Sequence, residues 1–177
     1  CLEWGAGYST LYFPKILSKD AKWISIEHDK EWFERIKALN NNSNVEIYLV
    51  QPNRFLWTDK DGGFYDFKDY VEFASKFGKL DFILIDGRAR KYCLMKACEI
   101  IKDNGVVVLH DANRKYYREP FKLFRYKIIF EDLREDAGGI MIGSMNLDIA
   151  RIINVNKHRK LWNFICKLGR VGRILRV

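Results

Sequence analysis

The sequence has no apolar run near the ~20 residues needed to cross a bilayer, and no secretory leader is visible. Its four cysteines, Cys1, Cys93, Cys98 and Cys166, form no CxxC pair and show no paired spacing. That excludes a zinc knuckle and a disulfide framework, and fits free thiols in a reducing compartment. The Gly-Lys-Ser/Thr of a phosphate-binding loop is missing, as are internal repeats and low-complexity tracts. The chain opens on Cys1, without a Met and inside what reads as a strand, so an N-terminal piece is expected to precede it.

What is present suits one globular domain: 177 residues, 48% hydrophobic and 31% charged. The net charge of +8 is unevenly placed. Residues Asn146–Val177 hold eight Lys/Arg and one acid, so the tail carries almost all of it and the body is nearly neutral. A nucleic-acid surface on the body is therefore not expected.

Strand-like and helix-like segments alternate. Strands are expected at Cys1–Glu3, Trp23–Glu27, Val45–Val50, Asp81–Ile85 and Gly105–Leu109. Helices are expected at Tyr8–Leu17, with Leu11, Ile16 and Leu17 facing the core, at Lys30–Leu39 with Asp29 as N-cap, at Asp66–Phe77 ended by Gly78, and at Arg90–Lys102. Strands apolar on both faces belong inside a parallel sheet covered by helices. This order predicts a doubly wound α/β fold, with a mostly parallel seven-stranded sheet and helices on both faces. Tyr126–Asp132 and Gly139–Gly143 are separated only by a short turn, so they must pair antiparallel as a C-terminal hairpin.

In such sheets ligands bind beyond the carboxyl ends of the strands. The turn "EWGAGYST" lies there. Gly5 can adopt a positive φ, and Gly7 lets backbone N–H groups approach a ligand at the start of a helix. Thr10 stands where the dinucleotide fingerprint wants a third glycine. Glu3, just before the turn, would repel a pyrophosphate and favour a cation carrying an amino group and a sulfonium. At the end of "WISIEHD", Glu27 can accept both hydroxyls of a ribose, and His28 follows where an adenine would stack.

"LEWGAGYST", "SIEHD", "FILIDGRAR" and "GVVVLHD", in that order and spacing, resemble a class I S-adenosylmethionine-dependent methyltransferase over roughly Cys1 to Ser144. The resemblance implies S-adenosylmethionine as cofactor, with Glu3, Gly5 and Gly7 at its methionine part, Glu27 and His28 at its nucleoside, and Gln51 bordering the adenine. Asp86, at the fourth strand end, would serve both cofactor and catalysis. His110 and Asp111, at the fifth, are the other catalytic candidates, with His110 suited to be a base. Catechol-type O-methyltransferases hold Mg²⁺ through an Asp at each of these strand ends and an Asn directly after the second. Here Ala112 stands in the place of that Asn. Two carboxylates with waters can still hold Mg²⁺, but the incomplete triad favours a site without metal. The alternative role for Asp111 is to cap a helix beginning near Asn113, and "GRARK" forms a basic lip, either for an anionic acceptor or simply solvated.

The tail "RKLWNFICKLGRVGRILRV" places Leu161, Phe164/Ile165, Leu168, Val171 and Leu175 at helical spacing among basic residues. Such a basic amphipathic helix can pack on the body, join two copies through residues 157–177, or lie on an anionic membrane face, whereas nucleic acid is not expected as its partner because base-stacking aromatics between the basic residues are too few. These features predict a cytoplasmic methyltransferase, in the tail's third use peripheral at the inner membrane face. It would methylate oxygen of a small-molecule or carbohydrate-like acceptor. The Asn/Asp-Pro-Pro-Tyr/Phe motif of amino-methylating DNA enzymes is missing, which fits that acceptor class. The alternative is a non-catalytic cofactor-fold module recruited to a membrane or partner by its tail.

Overall fold

The computed structural model describes residues 1–57, 60–134 and 137–174, the side chains of 170–174 aside. Seven strands, β1 (Leu2–Trp4), β2 (Trp23–Glu27), β3 (Val45–Leu49), β4 (Leu80–Ile85), β5 (Ile101–His110), β6 (Tyr126–Phe130) and β7 (Ile140–Ser144), form one sheet in the order β3-β2-β1-β4-β5-β7-β6. The first five are parallel, and β7 runs antiparallel to both β5 and β6. The chain first winds outward from β1 to β3, then returns to β4 on the other side of β1. Right-handed crossovers therefore put the earlier and later helices on opposite faces, and the switch point falls between β1 and β4. Every residue of β1 and β2 is buried, as central strands require.

The helices are α1 (Tyr8–Tyr12), α2 (Lys30–Leu39), α3 (Lys68–Glu72), α4 (Arg90–Ile100), α5 (Arg118–Phe121) and α6 (Val155–Ile174). The Asp29 carboxylate caps α2 by accepting the Trp32 N–H at 2.8 Å. The helix expected over Tyr8–Leu17 stops at Tyr12 and tightens into a 3₁₀ turn, Phe13–Ile16, around Pro14. Thr10 and Pro14 face the core there, whereas Ile16 is 66% exposed and Leu11 and Leu17 are only partly covered. Asp66–Phe77 breaks into α3 with a 3₁₀ turn at each end, and Gly78, with φ of 68°, ends it. β5 starts at Ile101, so it takes the last two residues of the expected helix. β6 ends two residues early, and β7 starts one residue late, after Gly138 and Gly139, both at positive φ.

The long helix α6 begins at Val155 and meets the sheet edge through a small core of its own. Ile128 and Phe130 of β6 and Ile149 form it, with Ile153, Val155 and Trp162 packed against them. The Trp162 ring lies 6.3 Å from that of Phe130, and its Nε1 donates to the Glu131 carbonyl at 2.8 Å. One turn on, Cys166 is buried and its Sγ–H donates to Asp132. The expected stripe is not the docked face, since Leu161, Phe164, Ile165 and Leu168 are all exposed. Leu175 lies outside the described residues, as do the side chains of Arg170, Val171 and Arg173. No helix among the described residues is long and apolar enough to cross a membrane. Trp162→Ala removes both the ring contact and the hydrogen bond. We expect it to loosen α6 by about 1–2 kcal/mol, seen as faster tryptic cleavage within 157–167 while the sheet's main unfolding transition stays within a few degrees. Unchanged cleavage would show that α6 is held by other contacts.

Candidate functional site

The turns after β1 and β4 fit together backbone against backbone. Gly5 has φ of 95°, and a Cβ there would lie 2.6 Å from the Gly87 Cα. A Cβ on Gly87 would meet the Tyr70 hydroxyl at 2.0 Å and the Gly5 backbone at 3.0 Å. Only glycine permits this approach. Above it opens a cleft of roughly 980 Å³ bounded by the Gly5–Ser9 turn, Glu27, Asp86 and Arg88, at the upper end of the size usual for ligand sites. Gly7 lines it in an extended conformation, φ −169°, which any residue can adopt. Its N–H is not offered to a ligand as expected, because it donates to Thr10 Oγ1 at 2.9 Å.

Glu3 lies beneath the turn rather than on the cleft. It is fully buried and receives hydrogen bonds from the Ser9 hydroxyl, from Thr10 Oγ1 at 2.6 Å, from Ser25 Oγ at 2.8 Å and from Trp23 Nε1 at 3.1 Å. Burial raises its pKa, against the lowering effect of these four donors. A direct salt link from Glu3 to a bound cation is thus not built into this geometry. The carboxylate instead ties β1, β2 and α1 together under the cleft.

Glu27 does line the cleft. Its Oε1 accepts the N–H groups of His28 and Asp29, both at 2.8 Å, and lies 2.7 Å from His28 Nδ1. The hydrogen bonds to the Glu27 carboxylate among the described residues all fall on Oε1, and although the residue is buried it lies in the wall of the cleft. His28 also lines it, with its ring set edge-on against Phe67 and Tyr70 and 6.0 Å from Trp57. It is therefore a fixed wall. Gln51 is exposed past the end of β3 and does not line the cleft, so the structure does not support its expected place at an adenine. Trp32 does line it, anchored by Nε1 donating to the Ala6 carbonyl at 2.6 Å.

At the tips of β4 and β5, Arg90 joins the candidates. It is buried and cannot serve as the exposed basic lip expected of "GRARK". Its Nε donates to the Gly87 carbonyl at 2.9 Å, and Nη1 donates to the His110 carbonyl at 2.9 Å and to Asp111 Oδ2 at 3.0 Å. Nη2 donates to the Asp86 carbonyl and lies 3.2 Å from Asp86 Oδ1. Asp86 remains exposed on the cleft. His110 Nδ1 sits 2.9 Å from Asp86 Oδ1, and this partner, with further help from Asp111, raises the His110 pKa against burial and the Arg90 charge.

Asp111 serves differently. At φ of 59° it does not begin a helix. Its Oδ1 accepts the Gly138 N–H at 2.7 Å, and Oδ2 accepts Arg90 and, at 3.1 Å, Arg114. Burial works to raise its pKa, but that N–H and the neighbouring cations outweigh it and hold the carboxyl below the usual range. It therefore orients the β5 tip and is a poor base. Both Asp111 oxygens and Asp86 Oδ1 are engaged by cations or N–H groups, so this pair does not fit a Mg²⁺ site. Among the described residues no three His, Cys, Asp or Glu are grouped to hold a metal. Asn113, one residue past the expected position, is spent on the Asp132 and Arg134 backbone.

Sequence reasoning missed Arg90, Arg114, Asp61 and Tyr117. The Asp61 carboxylate, 4% exposed, accepts the Arg90 N–H at 3.0 Å and the Tyr117 hydroxyl at 2.9 Å, and lies 3.6 Å from Arg114. A buried acid met by a backbone N–H of α4 and by a hydroxyl and a guanidinium from the segment after β5 leaves no local spacing signal. The nearest hint is the density of Arg in "GRAR" and "NRKYYR".

No family model matches the chain. It is 24% identical over 140 residues to a 2-C-methyl-D-erythritol 4-phosphate cytidylyltransferase of Fusobacterium nucleatum, covering 79% of this chain and 56% of that protein. It thus spans little more than half the length of this curated relative. Spermidine synthase from Thermotoga maritima superposes with a TM-score of 0.58 at 17% identity, over 85% of this chain and 54% of its own. A methyltransferase-like protein from Silicibacter pomeroyi gives 0.56 at 19% identity, over 89% and 85%. A Geobacter sulfurreducens methyltransferase gives 0.53 at 14%, over 80% and 70%. At these identities the likeness is one of architecture, and with the parallel sheet, the interlocked glycine turns and the antiparallel β5-β7-β6 edge it establishes that this chain has the Rossmann-like fold of the class I S-adenosylmethionine-dependent methyltransferases.

Proposed function

We propose that this chain is an S-adenosylmethionine-dependent methyltransferase acting on oxygen of a small or carbohydrate-like acceptor. The observation that carries this reading is the cleft at the switch point, lined both by Glu27, whose carboxylate takes the N–H groups of His28 and Asp29 on Oε1, and by the exposed Asp86. When bound, S-adenosylmethionine supplies an electrophilic methyl carbon whose C–S electron pair leaves on sulfur. Glu27 Oε2 is suited to accept ribose hydroxyls, held in place by the two N–H groups on Oε1. Glu27, Asp29, Glu31 and Asp86 line the cleft against Arg35, Arg88 and Arg90, of which Arg90 is held by Asp86 and Asp111, so the remaining charge leans toward a sulfonium and an ammonium rather than the phosphates that a cytidylyltransferase's name implies.

Removal of the acceptor proton falls to His110. Its Nδ1 faces Asp86, which leaves Nε2 as the proton-accepting atom. Asp86 thus orients the base and tunes it, while Arg90 keeps Asp86 from swinging away. Because the His110 pKa is raised, the neutral form needed for proton removal accumulates only above the ordinary value of 6.5. The same raised pKa contributes stability that is complete below 6.5 and is lost as pH rises through the folded value.

A thermal-shift comparison of S-adenosylhomocysteine, NAD and CTP tests the cofactor class, and only the first is expected to stabilise. Glu27→Ala should weaken S-adenosylhomocysteine by about 10- to 100-fold in calorimetry, and Glu27→Gln should separate ribose binding from folding. Unchanged affinity in both variants would remove the ribose assignment. An NMR titration of the His110 ring should give a midpoint above 6.5, moving to lower pH in Asp86→Asn. A midpoint insensitive to Asp86 would take His110 out of the role of base.

A further inference from the structure

A second cavity, roughly 750 Å³, adjoins the cleft on the far side of Arg88, which lines both. Its walls carry Lys60, Arg88, Lys91 and Arg114 with the rings of Tyr92 and Tyr116. Resting on the methyltransferase reading above, we propose that this cavity is the acceptor site and that the acceptor is anionic: a small hydroxylated molecule bearing a carboxylate or a phosphate.

The charge balance of the walls is the first argument. Asp61 is the one carboxylate among the lining residues, and its oxygens face the Arg90 N–H, the Tyr117 hydroxyl and Arg114. Arg114 also answers Asp111. No carboxylate of the described residues lies within ion-pair distance of Lys60, Arg88 or Lys91, so three cations remain for a ligand. Such a concentration of one sign in a walled concavity selects an anion more strongly than the same charges on an open surface.

The second argument is that the walls are held. Arg88 donates to the Lys60 carbonyl at 3.1 Å and lies over the Trp57 ring at 5.1 Å. Arg114 donates to the Tyr116 hydroxyl at 3.2 Å and to Asp111 at 3.1 Å. The Tyr116 ring packs 4.4 Å from that of the buried Tyr117, whose hydroxyl is bound to Asp61. Arg88, fixed in this way with only Nη1 spent on a carbonyl, can offer its remaining N–H donors to a carboxylate or phosphate with little further ordering, while Arg114 serves as a rigid, positively charged part of the wall. The third argument is position. Arg114 binds the same Asp111 that Arg90 uses to hold the β5 tip, so the anion would be anchored to the frame that places His110.

The test uses the full chain saturated with S-adenosylhomocysteine, titrated calorimetrically with galacturonate, glucose 6-phosphate and neutral glucose. At least one anion should bind about tenfold more tightly than glucose, and this preference should shrink with added salt. Which anion binds better distinguishes a carboxylate from a phosphate acceptor. The double variant Lys60→Glu and Lys91→Glu touches neither the cleft nor the strand tips. It should keep S-adenosylhomocysteine affinity within about twofold while abolishing the anion preference. No preference for either anion in the wild-type chain, or a preference that survives both reversals, overturns the proposal. Failure of S-adenosylhomocysteine to bind would be read separately, from the titration that precedes the anions, and would fall on the cofactor assignment.

Discussion

The Arg90 guanidinium, buried between the tips of β4 and β5, holds together the side of the cleft that those two strands form. A cation withdrawn from water is costly unless its donors are matched. Here three backbone carbonyls and two carboxylates match them, drawn from Asp86, Gly87, His110 and Asp111. Because the carbonyls belong to two strand ends, the bond network fixes the spacing of those ends as well as the side chains on them. The position of Gly87 follows from it, and so does its backbone contact with Gly5, without which the first turn could not close against the fourth strand. Asp86, Gly87, His110 and Asp111 therefore share one mechanical support, supplied by the first residue of α4.

Under the first turn a second buried polar cluster works in the opposite sense. Arg90 positions groups that remain exposed, whereas Glu3 is withdrawn with four donors and presents nothing. Strand order explains the difference. In the parallel register Glu3 stands beside Ser25, inside two strands that are otherwise almost wholly apolar. A carboxylate there must be satisfied from within, and Ser9 and Thr10 of the following helix reach back to do so. An acid in "LEW" beside the serine of "WISIE" was the visible sign of this pairing, but it could be read only once the register was known. Glu27 ends its strand two residues further along, where the sheet gives way to the cleft, and there the same residue type, also buried, becomes part of the cleft wall.

The sheet was legible because its strands are short apolar runs separated by helical periodicity, and the antiparallel hairpin because its connection is too short for a crossover. Asp29 as cap and Glu27 as strand-end acid follow from local chemistry alone. Contacts assembled from distant segments were not legible, and Arg90 read from sequence as a surface lip for that reason. The docked face of α6 was hidden differently. Periodicity identifies an apolar stripe but not which side meets the body. Trp162 outcompetes the stripe because one side chain buries a large ring and satisfies its N–H on the Glu131 carbonyl. The apolar stripe offers no such polar anchor, and Leu161, Phe164, Ile165 and Leu168 all keep more than half of their surface exposed, Leu161 and Ile165 at the edge of an open apolar groove beside Trp162.

The two cavities differ in the sign of what they leave uncompensated, and this difference bears on the proposed chemistry. Around the cleft, carboxylates outnumber the arginines, and Arg90 is wholly occupied by its partners. Around the adjoining cavity, cations outnumber the one buried acid. Arg88 stands between them and belongs to both. A positively charged donor and a negatively charged acceptor attract each other, but in a shared open pocket each would be drawn to the other's wall. Separate walls of opposite preference hold the partners apart in register and leave approach along the line joining them as the remaining freedom. Methyl transfer to oxygen needs that in-line approach more than it needs strong acid or base catalysis. The proposed base, His110, lies on the β5 tip that Arg90 and Arg114 clamp through Asp111, so the element proposed to receive the proton is fixed to the wall proposed to hold the acceptor.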